Sequence, residues 1–220
     1  MMSKSEGVEE RRPLAVTGPA DIKSAIAALQ IGEAVVYPTE TFYALGVDAL
    51  APAALEHLLA LKGRELGKPV ALIASDARMA FSMAREVSAQ ARVLASAFWP
   101  GPLTLVLPAR VGVPAALIGE GGGVGLRVSS HPVATALAAG LGRPITATSA
   151  NRAGEQPAVD LDEARRAFGD KVKVFVSNVR LAGGSPSTVV ALRGRAIHVI
   201  RAGAVSESAI AAALTGSGLE

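Results

Sequence analysis

The sequence predicts an α/β fold built around one mixed β-sheet. Apolar runs of four to six residues recur along the chain, and amphipathic stretches separate them. Glycine and proline punctuate the junctions, as at Gly32 and Trp99-Pro100-Gly101-Pro102. Strands alternating with helices pack as a sheet with helices on its faces.

In order, Pro19–Gln30 reads as a helix with Gly32 as its stop signal. Glu33–Tyr37 follows as a strand. Ala53–Lys62 reads as a helix on Leu55, Leu58, Leu59 and Leu61, and Val70–Ala74 as a buried strand. Ser88–Phe98 is helical in pattern and stops at the Trp99–Pro102 turn. Strand-like runs then come at Leu103–Leu107, Val124–Val128, Ile145–Ser149, Val172–Val176, Thr188–Leu192 and Ile197–Arg201. Helical patterns fill the gaps at Pro132–Leu141, Leu161–Phe168 and Glu207–Leu214. Eight strands are therefore expected. Residues 1–12 are polar and of mixed charge, an expected disordered tail, and residues 13–220 are expected to form a single domain.

Composition narrows the function classes. Half of the 220 residues are apolar and 19% are charged, enough to bury a sizeable core. There is no cysteine, so disulfides, thiolate chemistry and Cys-based zinc sites are excluded. No secretory h-region and no apolar run of spanning length is present, so a cytoplasmic protein without membrane contact is expected. A net charge of +3 permits an anionic ligand without demanding nucleic acid, and aromatic residues, at 4%, are too few for a single-strand stacking platform.

Five places can carry chemistry. Lys62, Arg64 and Lys68 crowd the junction Leu61-Lys-Gly-Arg-Glu-Leu-Gly-Lys-Pro69, between a helix end and a strand. The spacing is wrong for a P-loop, because Gly63 and Gly67 enclose only three residues and Pro69 follows Lys68. Side chains would have to hold a phosphate there; otherwise the cluster is a solvated basic turn. Thr39 and Thr41, two apart after a strand, either line a site or form a turn. Thr146-Ala-Thr-Ser-Ala-Asn151 ends an apolar strand in small polar residues, which suits a ligand crevice. Arg127 is the lone cation in Val124-Gly-Leu-Arg-Val, so it faces either an internal acid or an anionic ligand. Gly183-Gly-Ser-Pro-Ser-Thr188 leads into a strand, and Arg201 ends the next one. Histidines 57, 131 and 198 lack metal-ligand spacing, and Gly119–Gly125 precedes a strand rather than a helix, so it is no dinucleotide fingerprint.

Taken in order, Pro38-Thr-Glu-Thr41, Lys62-x-Arg64, Trp99-Pro-Gly-Pro-Leu-Thr104, the Arg127 strand, Ser149-Ala-Asn151 and Pro186-Ser-Thr-Val189 resemble the YrdC-like family of threonylcarbamoyl-AMP synthases. The resemblance covers roughly residues 20–204 and is closest to the short, single-domain form. It implies a twisted mixed α/β sheet with flanking helices and a concave basic cavity. It implies a nucleotidyltransferase that converts L-threonine, bicarbonate and ATP into threonylcarbamoyl-adenylate and pyrophosphate, for N6-threonylcarbamoyladenosine formation in tRNA. Carried over by position, Lys62, Arg64, Lys68, Ser149, Asn151 and Arg201 would bind ATP. Lys62 and Arg64 would act as the catalytic cations, and Thr41, Arg127 and Ser187 would hold threonine. Mg²⁺ would accompany ATP, with no metal site on protein side chains and no redox or organic cofactor. Implied partners are tRNA or double-stranded RNA and the threonylcarbamoyl-transfer machinery downstream. The sequence departs from the family at Glu65, Ala44, Ile73 and Arg152-Ala153, which leaves the nucleotide site better supported than the amino-acid pocket. The alternatives are a paralogue of the same fold acting on another carbamoyl-type substrate, and an RNA-binding module without chemistry.

Overall fold

The computed structural model describes residues 14–16, 19–63, 69–152, 154–177, 179–193 and 196–218. The tail expected at 1–12 lies outside the described residues, and so do Arg64 and Lys68. The elements run β1 (Leu14–Val16), α1 (Pro19–Gln30), β2 (Val35–Pro38), β3 (Tyr43–Gly46), α2 (Pro52–Lys62), β4 (Ala71–Ala74), α3 (Ala77–Phe81) and α4 (Ala89–Phe98). Then come β5 (Leu103–Pro108), β6 (Gly123–Val128), α5 (Pro132–Leu141), β7 (Ile145–Ser149), α6 (Leu161–Phe168), β8 (Val174–Val176), β9 (Thr188–Arg193), β10 (Ala196–Arg201) and α7 (Glu207–Thr215).

Among the described residues ten strands form one sheet in the order β1-β8-β2-β3-β7-β4-β6-β5-β9-β10. The sheet is mixed, as expected: β4 runs parallel to β6 and antiparallel to β7, and β5 runs parallel to β9 and antiparallel to β6. Two strands exceed the expected eight, β1 and β3. The Tyr-Ala-Leu-Gly of β3 is four residues long and holds alanine and glycine, which favour strands weakly, so it does not stand out as an apolar run. The strand expected from Glu33 starts at Val35, because Gly32 and Glu33 donate back to Leu29 and Ala28 and close α1 in a turn. The strand expected from Val172 starts at Val174, after a 3₁₀ turn at Gly169–Lys171.

Local chemistry accounts for the helix ends. Ser88, Asp160 and Ser206 accept from the backbone N–H groups of Ala91, Glu163 and Ala209, satisfying first-turn donors of α4, α6 and α7. Helix α2 stops at Gly63, whose φ of 55° is left-handed and suits glycine.

The sheet separates two cores. On one face Val36, Leu45, Leu72, Leu105, Leu126 and Val190 pack with leucines and phenylalanine from α2, α4, α6 and α7. On the other, Val35, Tyr37, Ile73 and Ile145 pack under α1 and α5. A leucine buried as fully as Leu72 or Leu105 contributes about 1.5–3 kcal/mol. Helices α1 and α5 lie against each other and over β2, β4 and β8.

Candidate active site

Strand register identifies what lies beyond α1 and α5 on their face of the sheet. Ile73 pairs with Arg127 and with Ile145, so all three side chains share that face. Following the alternation outward, Ala71, Ala147, Gly125, Val106 and Ala191 sit on it too, in mutually paired positions. These residues are small. A Cβ on Gly123 would lie 2.6 Å from Val106 Cγ1, and one on Gly125 would lie 3.4 Å from Thr104 Cγ2. The sheet face is thereby lowered into the floor of a cavity of about 920 Å³, whose walls carry Thr41, Ser149, Ser187, Arg127 and Arg201. The glycine-rich stretch is thus no nucleotide fingerprint, yet its strand glycines make room for a ligand.

One wall is the turn between β2 and β3. Thr39 Oγ1 accepts from the N–H groups of Thr41 and Phe42 and donates to Phe42 O at 2.7 Å, a hydroxyl-closed turn. Thr39 is therefore the turn former, and both it and Thr41, buried and 3.0 Å from its hydroxyl, line the cavity. Glu40 between them reaches Arg127: Nη2 lies 2.7 Å from Oε1 and Nε donates to the same oxygen at 3.2 Å. The Nη2 contact is close but misaligned, so that buried nitrogen lacks a hydrogen-bond partner within the protein. Arg127 thus has an internal acid, and it also lines the cavity.

The opposite wall comes from β5, β9 and β10. Trp99 Nε1 donates to Leu103 O at 2.7 Å, and Thr188 N donates to Pro102 O at 3.0 Å, which brings Thr104 beside Ser187. Their hydroxyls are 3.1 Å apart. Arg201 grips the same corner, with Nη2 donating to Ser187 O at 2.7 Å and Oγ at 2.9 Å, and Nε to Ser187 O at 3.1 Å. A side chain at 203 would collide with Pro186 O at 2.2 Å, so glycine lets the chain after Arg201 hug this loop. Burial holds the Arg201 guanidinium below its usual range, and the charge of Arg127 adds to the effect. The two guanidiniums feel each other across one cavity.

Lys62 differs from its expected place. It is 9% exposed and turns inward from the last residue of α2. Its ammonium donates to Ser149 O at 2.8 Å, Asn151 O at 2.5 Å and Asn151 Oδ1 at 3.2 Å. It is neither a solvated helix-end cation nor a residue lining the cavity. Asn151 also lies behind the wall, accepting from Ser149 Oγ at 2.5 Å and donating to Glu155 O at 2.6 Å. Lys62 and Asn151 thus fix the carboxyl end of β7, while Ser149 faces the cavity. Glu40, Thr104 and Ser129 were not singled out from sequence. The signal for Glu40 is a lone acid between two threonines at a strand end, the natural counter-charge for the lone Arg127.

Among the described residues no group of three or more His, Asp or Glu side chains could hold a metal ion, and no helix is long and apolar enough to cross a membrane.

Known proteins resemble this chain in sequence and in fold. The threonylcarbamoyl-AMP synthase of Nitrosococcus oceani is 36% identical over 168 residues, covering 76% of this chain and 91% of that protein. The threonylcarbamoyl-AMP synthase of Thiobacillus denitrificans is 39% identical, covering 76% of this chain and 88% of its own. Among solved structures, P. abyssi Sua5 complexed with L-threonine superposes with a TM-score of 0.86 at 30% identity over 91% of this chain. This chain spans only 60% of that Sua5 chain. E. coli YciO superposes with a TM-score of 0.80 at 25% identity, covering 90% of this chain and 98% of its own. The family model described as Sua5/YciO/YrdC, telomere recombination, matches residues 27–203, and the chain belongs to that family.

Proposed function

We propose that the protein is a threonylcarbamoyl-AMP synthase that joins L-threonine, bicarbonate and ATP into threonylcarbamoyl-adenylate and pyrophosphate. The observation that carries this reading is the pairing of two anchored guanidiniums, Arg127 and Arg201, with hydroxyls from Thr41, Ser149 and Ser187 around one cavity of about 920 Å³. That volume lies in the range of sites for nucleotide-sized ligands. Arg127, a planar guanidinium that lines the cavity, suits the threonine carboxylate. Arg201 and Ser149 suit the nucleotide. Arg64 and Lys68 are proposed phosphate ligands on sequence grounds, while Lys62 and Asn151 support the nucleotide wall from behind.

The chemistry asks for alignment more than for a nucleophile from the protein. The threonine nitrogen adds through its lone pair to CO₂ derived from bicarbonate and loses a proton to water, giving a carbamate. A carbamate oxygen then attacks the α-phosphorus, and the bond to the β-phosphate oxygen breaks to release pyrophosphate. Fixed cations that neutralise the charge on carbamate and triphosphate, with both substrates held in line, lower the barrier. Mg²⁺ enters on the triphosphate as part of the substrate. The product would pass to the enzymes that modify tRNA.

The test is pyrophosphate release from Mg-ATP with threonine or bicarbonate withheld in turn. Release that needs all three supports the synthase. Equal release without threonine would overturn it in favour of a paralogue acting on another acceptor.

A further inference from the structure

We infer that Glu40 is a positioning residue for the proposed reaction: it aims the Arg127 guanidinium at the amino-acid carboxylate from behind the cavity wall. The inference rests on the reading of Arg127 as the carboxylate ligand.

Arg127 lines the cavity and Glu40 does not. The two are not neighbours in the sheet. Glu40 sits in the β2–β3 turn and Arg127 on β6, with β7 and β4 in between. The turn must fold over the sheet for them to meet, and the ion pair fixes it there. A single bond therefore sets the position of two cavity groups, Arg127 itself and Thr41 on the same turn.

Glu40 is also held from its other side. Its Oε2 accepts a short hydrogen bond from Ser129 Oγ, and Ser129 Oγ accepts from His131 N at 3.2 Å. His131 caps α5 by accepting from Val133 N at 3.3 Å. The carboxylate thus stands near the positive end of α5, fixed by a strand residue and by the turn that precedes the helix. Both oxygens are committed, so its orientation is set before any ligand arrives. Arg127 Nε donates to Oε1 and Nη2 rests against the same oxygen, which orients the guanidinium. A planar donor so fixed meets a carboxylate at low entropic cost.

An ion pair that only stabilised the fold would look similar in a static view, so the test must separate the two. In the pyrophosphate assay, Glu40→Gln should raise the threonine KM about tenfold, the size of one lost charge-assisted hydrogen bond, while the ATP KM stays within about twofold. Ser129→Ala keeps the ion pair but frees Oε2, and should shift the threonine KM in the same direction by less. The deciding measurement is the double variant. In an Arg127→Lys background, Glu40→Gln should add less than about twofold to the threonine KM, because its route of action is already gone. Additive effects, an unchanged threonine KM in both single variants, or equal rises in both KM values with a lowered Tm would overturn the inference. Wild-type protein in the same assay keeps the two failures distinct. If wild type releases pyrophosphate without threonine, the synthase reading falls and this inference with it. If wild type needs threonine and Glu40→Gln leaves the threonine KM unchanged, only this inference falls.

Discussion

Replacing Lys62 with methionine tests whether this lysine supports the site or belongs to it. Methionine keeps the length and apolar stem and removes the ammonium. Among the described residues three acceptors lose a donor: Ser149 O at 2.8 Å, Asn151 O at 2.5 Å and Asn151 Oδ1 at 3.2 Å. They are not equivalent. Ser149 O still accepts from Asn151 N at 2.9 Å, and Asn151 Oδ1 from Ser149 Oγ at 2.5 Å. The carbonyl of Asn151 bears the loss. Removing the donor from a buried carbonyl costs about 1–3 kcal/mol, and weakening bonds to charged groups adds to that. Relief from desolvating an ammonium that is 9% exposed works in the opposite direction. A net loss of about 1–3 kcal/mol follows, which in a chain of this length lowers Tm by about 2–12 °C. Because Ser149 faces the cavity from the strand end that Lys62 holds, the ATP KM should rise with the fall in Tm, and the threonine KM should move less. Thermal melting by circular dichroism and pyrophosphate-release kinetics on one variant decide the matter. A wild-type Tm with a strongly raised ATP KM would refute the reasoning, for it would place the ammonium in the cavity as a phosphate ligand.

Two further predictions follow from other parts of the site. Gly125→Val should abolish threonine-dependent turnover without destabilising the fold: a Cβ there meets Thr104 Cγ2 at 3.4 Å and Ala71 Cβ at 3.5 Å, ordinary contacts, while the γ-methyls enter the cavity. A β-branched residue is favoured over glycine in a strand by up to about 1 kcal/mol, so an inactive variant with an unchanged or raised Tm is the expected result, and retained activity would mean the floor is not where substrate sits. His131 gives a pH dependence. Burial holds it below the usual histidine range, and Glu40 opposes that shift. The native state therefore binds fewer protons than the unfolded chain, and stability falls as pH drops through about 6.5. His131→Asn, which keeps a side-chain acceptor for Val133 N, should lose less Tm than wild type between about pH 7.5 and 5.5. Parallel curves would show that His131 is not the group responsible.

Much of this was legible in the sequence, and the exceptions have physical reasons. The alternation of apolar runs and amphipathic stretches located most helices and strands, because period and punctuation are local properties. Strand β3 escaped because its four residues include alanine and glycine and make too short and weak an apolar run to read. Arg127 could be read as a cation needing an acid or an anion. That it has Glu40 behind it and a cavity before it depends on a turn folding across two intervening strands, which no local pattern encodes. Lys62 shows the same limit. It ends a helix beside a left-handed glycine, where the local rule favours a solvated cation. Its direction is set by three oxygens at the end of β7, nearly ninety residues away in the chain.

The difference between the two arginines follows from what each is anchored to. Arg127 is fixed by a carboxylate, so the pair is close to neutral and offers an anion oriented N–H groups more than a net charge. Arg201 is fixed by a carbonyl and a hydroxyl of Ser187, both uncharged, and so presents its full positive charge to the cavity. The single charge of an amino-acid carboxylate suits the first environment, where geometry discriminates. The heavier charge of a triphosphate suits the second, where field strength does. Exchanging the anchors would reverse this: without Glu40, two uncompensated guanidiniums would face one concave space, each disfavouring the other's charge, as burial and Arg127 together already do to Arg201. Neutralising one of the two cations from behind lets both stand in one cavity while their ligands remain distinct.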